Sequence, residues 1–334
     1  MHLRVVSLSM VIAFFIGLTG ILSAEDQLIN DIVEDTYFQK IISYFYRSGV
    51  INDYGIARYN IQSPEGFKIW HQQICWDAIV AGIGKEREQD IRRGLKAIRY
   101  GFENMRDDGS FENSSLSGTV RFLFACAKSY QEIKNSRYKD KYIREFDSYI
   151  PQLRKATLFV LNSPEWRREA AGEPGCTNRE IGLGLAAHLL GIILEYPDII
   201  KEGNTLFYQG VNKQTEEGIF PEKDGYDSSY QATSLQFIAL YYLYVADDKE
   251  REQLLSILRK GWQWELSRIE SSGKILIGGN TRTGWKQEVW RGKYKEVNYP
   301  DVALSLIYWS HISGDKSLRK VARNIFEYAI RHRR

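Results

Sequence analysis

The chain has 334 residues, 43% hydrophobic and 26% charged, which supports a sizeable core and excludes global disorder. Its net charge of +3, with no dense basic tract before Arg331–Arg334, argues against nucleic acid as a partner. Only seven prolines, with Leu, Ile, Ala and Tyr recurring at three- and four-residue spacing, favour helices over strands.

Residues 1–24 read as an export signal: Arg4 is the positive start, Val5 to Leu22 is mostly apolar, and Leu22-Ser23-Ala24 offers a cleavage site. The alternative is an uncleaved anchor, since the apolar run nearly reaches spanning length. No cysteine sits near the site to suggest a lipid anchor, and no later segment is apolar enough to span a bilayer. A soluble product in the periplasm or outside the cell is expected, with no stable membrane insertion after cleavage. Cys75, Cys126 and Cys176 are odd in number and lack Cys-x-x-Cys spacing, so no zinc site is indicated. The first two read as small core residues.

From Ile29 to Phe45 an apolar stripe predicts the first helix. Asn52-Asp53-Tyr54-Gly55 and Ser63-Pro64-Glu65-Gly66 then break the pattern. Further helices are expected at 68–84, 88–105, 116–131, 140–161, 178–194 and 201–214. The loop Asp224-Gly225-Tyr226-Asp227-Ser228-Ser229-Tyr230 leads into an apolar helix over 235–245, with Ser228 or Ser229 as its N-cap. Helices at 249–270, 301–313 and 317–333 complete a set of eleven, the last two preceded by a Gly- and Trp-rich insertion, 271–299.

A degenerate repeat runs through these elements. Asp108-Gly109-Ser110-Phe111 and Glu217-Gly218-Ile219-Phe220 each close one helix and open the next, and 172–177 and 273–298 fall at similar junctions. Alternating short and long connections suggest helical hairpins closing into an α/α toroid, an incomplete (α/α)6-type barrel, as one domain over 25–334. A solenoid of hairpins is the alternative. In a toroid the elaborate loops gather at one end and line a cleft.

Four groups of residues are suited to chemistry there. Asn178 and Arg179, in the helix start Thr177-Asn178-Arg179-Glu180, suit a carboxylate or hydroxyls at a helix N-terminus; capping by Thr177 or Asn178 is the structural alternative. Tyr226, Asp227 and Tyr230 surround another helix start, where a tyrosine can act as acid or base when cations stand near it. His71, beside Trp70, ranks above His188, which falls on an apolar face and reads as core. Trp285 and Trp290, with Arg282, Lys286 and Arg291, suit stacking on sugars and contact with an acidic polymer. Packing within turns is the plainer reading of each group.

The Asn178 to Gly182 segment and the Gly225-to-Tyr230 loop resemble those of the α/α-toroid carbohydrate-active enzymes, above all the exported hyaluronate and chondroitin lyases. The resemblance implies that Asn178 neutralises a uronate carboxylate and that Tyr230 or Tyr226 is the catalytic base or acid. It implies β-elimination on an acidic polysaccharide or oligosaccharide without a cofactor. The paired Trp that follows the Asn in that family is absent here. A glycoside hydrolase of the unsaturated uronyl type, using Asp77, Asp108, Asp224 or Asp227, is the alternative on the same fold. A non-catalytic glycan- or protein-binding hairpin protein is the alternative of another class.

Overall fold

The computed structural model describes residues 24–47, 49–170, 176–284, 286–290 and 292–332; residues 1–23 of the expected leader lie outside them. Among the described residues the chain is all-α apart from one two-stranded hairpin, and no helix is long and apolar enough to cross a membrane. In chain order come α1 (Ala24–Glu34), α2 (Thr36–Phe45), α3 (Arg58–Ile61), a 3-10 helix (Ile69–Gln73), α4 (Ile74–Gly84), α5 (Glu88–Glu103) and α6 (Leu116–Asn135). Then follow α7 (Lys139–Asp147), α8 (Ile150–Asn162), α9 (Pro164–Ala170), α10 (Thr177–Ile193), α11 (Pro197–Val211), α12 (Ser228–Tyr244) and α13 (Asp248–Leu266). The strands β1 (Val289–Trp290) and β2 (Lys293–Tyr294) precede α14 (Tyr299–Ile312) and α15 (Leu318–Arg331).

Three expected helices are each divided in the structure: 68–84 opens as the 3-10 helix Ile69–Gln73 before α4, and the other two break for local reasons. The stripe over 29–45 breaks at Asp35, whose carboxylate accepts from the Tyr37 and Phe38 N–H groups and caps α2. The 140–161 segment breaks at Ser148 and Tyr149, and Pro151 sits in the first turn of α8, where its missing N–H costs no bond. α12 begins at Ser228, seven residues before the apolar run, and its cap is Asp227 rather than either serine.

The sequence sorts the helices into two kinds. In α4, Ala78–Ile83 is buried without a break, and in α14 so is Val302–Ser310; a helix apolar on all sides belongs inside. By contrast α5 buries Ile91, Leu95, Ile98 and Phe102, and α15 buries Leu318, Ala322 and Ile325, one stripe each. The packing follows this division: α4 lies on α5, α6 on α7 and α8, α10 on α11, α12 on α13, and α14 on α15. The inner helices also contact one another in order, α2 with α4, then α6, α10, α12 and α14, and α14 touches α2. α1 lies across α2, α4, α6, α12 and α14. Its Asn30 amide donates to the Asn135 carbonyl at the C-terminal end of α6.

One turn recurs four times and joins these pairs. Gly55, Gly109, Gly218 and Gly273 all have φ between +87° and +92°. Each donates its N–H to the carbonyl three residues earlier, and that earlier residue donates to the carbonyl four residues on. In each case a Cβ on the glycine would strike the backbone of the outer helix that follows: Lys96, Lys155, Lys260 and Asn324 respectively. The residue two places on, Ala57, Phe111, Phe220 or Ile275, is buried. Two of the turns are further held by a buried amide. Gln72 Oε1 accepts from Ala57 N–H while its Nε2 donates to Gly55 and Ala97 carbonyls. Gln231 repeats this with Phe220, Gly218 and Gly261. The interval from Gly109 to Gly218 is about twice the others and holds a fifth hairpin, α10–α11; most of the 172–177 junction expected before it lies outside the described residues.

Left-handed backbone and close approach make Gly218 hard to replace. Gly218→Ala is expected to cost about 3 kcal/mol, the sum of the left-handed penalty and displacement of the Lys260 carbonyl. Gly314 also has positive φ but open space around it, so Gly314→Ala should cost only about 1 kcal/mol. Urea denaturation of the two variants checks this; equal losses would remove the contact from the argument.

Candidate functional site

The connection from α13 to α14 folds back over the start of α12 and is fastened there by Asp227. This carboxylate is fully buried. Oδ1 accepts from the Ser229 and Tyr230 N–H groups, and Oδ2 from Arg282 N–H at 3.0 Å and Thr283 N–H at 2.7 Å. The Thr283 hydroxyl lies 3.1 and 3.0 Å from the two oxygens. Asp227, expected among the substrate-binding residues, is therefore committed to holding two segments together.

That fastening delivers Arg282 into a buried ionic group. Its Nη1 donates to Glu222 at 2.7 Å and to Asn178 Oδ1 at 3.4 Å, and its Nε to Glu288 at 2.9 Å. The guanidinium lies over the Tyr230 ring, 3.8 Å from its centroid. Lys295 donates to the Tyr230 hydroxyl oxygen and, at 3.0 Å, to Glu288. Glu222 also accepts from the Asn178 backbone N–H at 3.0 Å. Glu222 thus does at the start of α10 what Thr177 or Asn178 was expected to do, since the cap position is Cys176 and no side chain caps there.

Electrostatics follow from this geometry. Burial pushes Glu222 up to about 7, with the Asn178 N–H and Arg282 opposing. Burial works against the charge on Arg282 too, but Glu288 and Glu222 hold it above its ordinary range. For Glu288, burial is outweighed by Lys223, Arg282 and Lys295, which hold it at about 2. The remaining donor end of Asn178, Nδ2, makes no hydrogen bond to the described residues, so it can serve a ligand.

The other expected residues fall in different surroundings. Tyr226 donates its hydroxyl to the Gly278 carbonyl and lies under Arg268, edge-on to Trp264. Arg179 stands half-buried in the first turn of α10. His71 is buried in the 3-10 helix between Tyr59 and Trp70. Trp285 and the Trp290 side chain lie outside the described residues. Asp108 caps its own turn through Ser110 N–H, and Asp224 is exposed. The structure thus brings together Asn178, Tyr230 and Arg282, and adds Glu222, Glu288 and Lys295, which no sequence motif marks.

Beside this group, the inner helices carry a second set of charges. Asp77 of α4, Lys128 and Glu132 of α6 and Asp301 of α14 act on one another through space. Burial raises Asp77 to about 7, Lys128 opposing and Asp301 adding; it raises Glu132 to about 7 and Asp301 to about 6. Burial lowers Lys128 to about 8. Tyr244 donates to Glu132 at 2.6 Å. The two sets meet at Asn298, whose amide donates to Asp301 while its backbone N–H donates to the Ser229 hydroxyl at 3.2 Å. No group of three or more His, Cys, Asp or Glu side chains among the described residues is arranged to hold a metal.

These acids set a pH dependence of stability. Asp77, Glu132 and Asp301 titrate at 6 to 7 in the folded chain, against ordinary values of 3.8 for Asp and 4.5 for Glu. Across that window the folded state binds more protons than the unfolded one, so their contribution falls as pH rises. Glu222 adds the same sign, and His188, lowered by burial, opposes it. Asp77→Asn is therefore expected to lose less stability than the parent between about pH 5 and about pH 8, measured by urea midpoints at each. An unchanged difference would show that Asp77 does not titrate in this window.

Comparison with known proteins finds no matching protein family, no matching curated protein and no matching solved structure.

Proposed function

We propose that the inner helices α2, α4, α6, α10, α12 and α14 close into an α/α toroid, and that the protein is an exported polysaccharide lyase acting on a uronate-containing glycan. The leader at 1–24 supports export, and the order of inner-helix contacts, with α14 on α2, supports the ring. The observation that carries the activity is Tyr230, whose oxygen accepts from Lys295 while Arg282 covers its ring, with the Asn178 amide oxygen on the same guanidinium.

Elimination needs a group for the uronate carboxylate and a carrier for one proton. On this reading the Asn178 amide donates to the carboxylate, which favours charge building up on the adjacent carbon. Tyr230, reacting as its phenolate, takes the proton from that carbon and, now the phenol, passes it to the oxygen of the departing sugar. The carbon–oxygen bond breaks as the carbon–carbon double bond forms, so protons and electrons balance. Lys295 and Arg282 hold the tyrosine in place, and Glu288 and Glu222 hold the two cations.

The test is a screen against alginate, hyaluronate, chondroitin, heparan and pectic polymers, following near-ultraviolet absorbance and new reducing ends together. Both signals rising together is the expected result. Reducing ends without absorbance would replace elimination by hydrolysis, with Asp77 as the acid to mutate. Silence on both channels would leave a binding protein.

A further inference from the structure

Asp77 and Lys128 have no part in the elimination step, yet they are half-buried in the interior without a side-chain hydrogen bond to any described residue. The Lys128 ammonium is fixed by aromatic faces instead, 3.4 Å from the Trp76 ring centroid and 5.0 Å from that of Phe124. That arrangement holds the ammonium in position and leaves its N–H donors unused. Phe124 meets Phe237 of α12 edge to face at 5.9 Å, and both are half-buried, giving an apolar wall beside the charges. Asp301 stands at the start of α14 with Oδ2 on the Asn298 amide, and no hydrogen bond from the described residues reaches its Oδ1. Arg121 of α6 is exposed and acts on Asp301 through space.

We infer that the interior between α4, α6 and α14 is a binding site for an uncharged pyranose ring, the neighbour of the uronate held at Asn178. This rests on the reading of the protein as an enzyme of uronate glycans. Fixed donors on Lys128 and acceptors on Asp77 and Asp301, beside an aromatic wall, match a ring with hydroxyls on its rim and C–H groups on its face. The charge balance selects against a second uronate: above about pH 7, where all three are ionised, Asp77, Glu132 and Asp301 outnumber Lys128 and Arg121, so a carboxylate there would meet like charge. The loop group is evenly matched, with Arg282, Lys223 and Lys295 facing Glu222, Glu288 and buried Asp227, and its neutral Asn178 amide is the donor for a carboxylate. Through Asn298 the two sites lie side by side, so adjacent sugars of one chain reach both.

Calorimetric titration of the protein with the methyl glycosides of glucose, galactose, mannose, xylose and rhamnose, and separately with glucuronate, tests the site. At least one uncharged glycoside should bind, and glucuronate should not displace it. Lys128→Met and Asp301→Asn should each weaken binding about tenfold or more, the loss expected for one charge-assisted hydrogen bond. Thermal unfolding of both variants checks that they are folded, and Asp301→Asn stands in if Lys128→Met is not. Binding by none of the five, displacement by glucuronate, or parental affinity in the folded variants would overturn the inference. Failure of the lyase reading shows separately, as polymer cleavage without absorbance or no cleavage at all.

Discussion

Tyr230→Phe is expected to lower turnover of the cleaved glycan by about a hundredfold or more, the usual worth of a positioned proton carrier. The substitution keeps the ring against Arg282 and removes only the oxygen that Lys295 reaches. Folding should be preserved, since Lys295, the donor that loses a partner, is partly exposed and keeps its bond to Glu288. Tyr226→Phe is the matched control. It removes a hydroxyl bonded to the Gly278 carbonyl, away from the ionic group, and should change turnover by no more than about twofold. Parental rates in Tyr230→Phe would end the case for elimination by this residue, and a large loss in Tyr226→Phe alone would move the proton chemistry to the other tyrosine.

Stability should suffer most from Asp227→Ala, by about 4 kcal/mol. The side chain is fully buried and accepts from four backbone N–H groups and one hydroxyl. Two of those N–H groups open α12 and two belong to the returning loop, so the loss combines a missing cap with unpaired buried donors. Asp227→Asn keeps one acceptor oxygen and turns the other position into a donor facing N–H groups, so it too should be damaging, with a smaller loss. Urea midpoints measure both. A loss below about 1 kcal/mol in the alanine variant would mean that the loop is held by other contacts. Because Asp227 also positions Arg282, activity should fall in parallel with the loss of structure.

What the sequence discloses of this site is its local part. The start of α12 is legible to within a residue or two, because a cluster of Asp and Ser before a long apolar run is a capping signal, although the cap is Asp227 and not the serine expected. Arg282 meets Glu222 across 60 positions and Asn178 across 104, and no periodicity links such residues. Lys128 and Glu132 were hidden for a different reason. A Lys and a Glu four apart ordinarily mark a solvated helix face, and only the packing of α6 against α4 and α10 turns them inward. Asp77 was easier to see, as the one charge in an apolar helix. The glycine turns were half legible: Gly109 and Gly218 share a Phe two places on, whereas Gly55 and Gly273 have Ala and Ile there. What the four share is backbone geometry, which leaves only a glycine and an apolar residue as its trace.

The turn at Gly273 closes before the connection to α14 sets out: Glu270 and Lys274 are bonded, and the glycine is seated on α15, by residue 275. Everything from 276 to 298 is therefore an excursion from an already completed joint. Lengthening it away from Arg282 and Thr283, which pair with buried Asp227 and Glu222, costs only the slowly growing entropy of a longer loop. Arg282, Glu288 and Lys295 all ride on that excursion. The residues that dress the start of α12 are in this way carried by a segment separate from the joint that sets the helices.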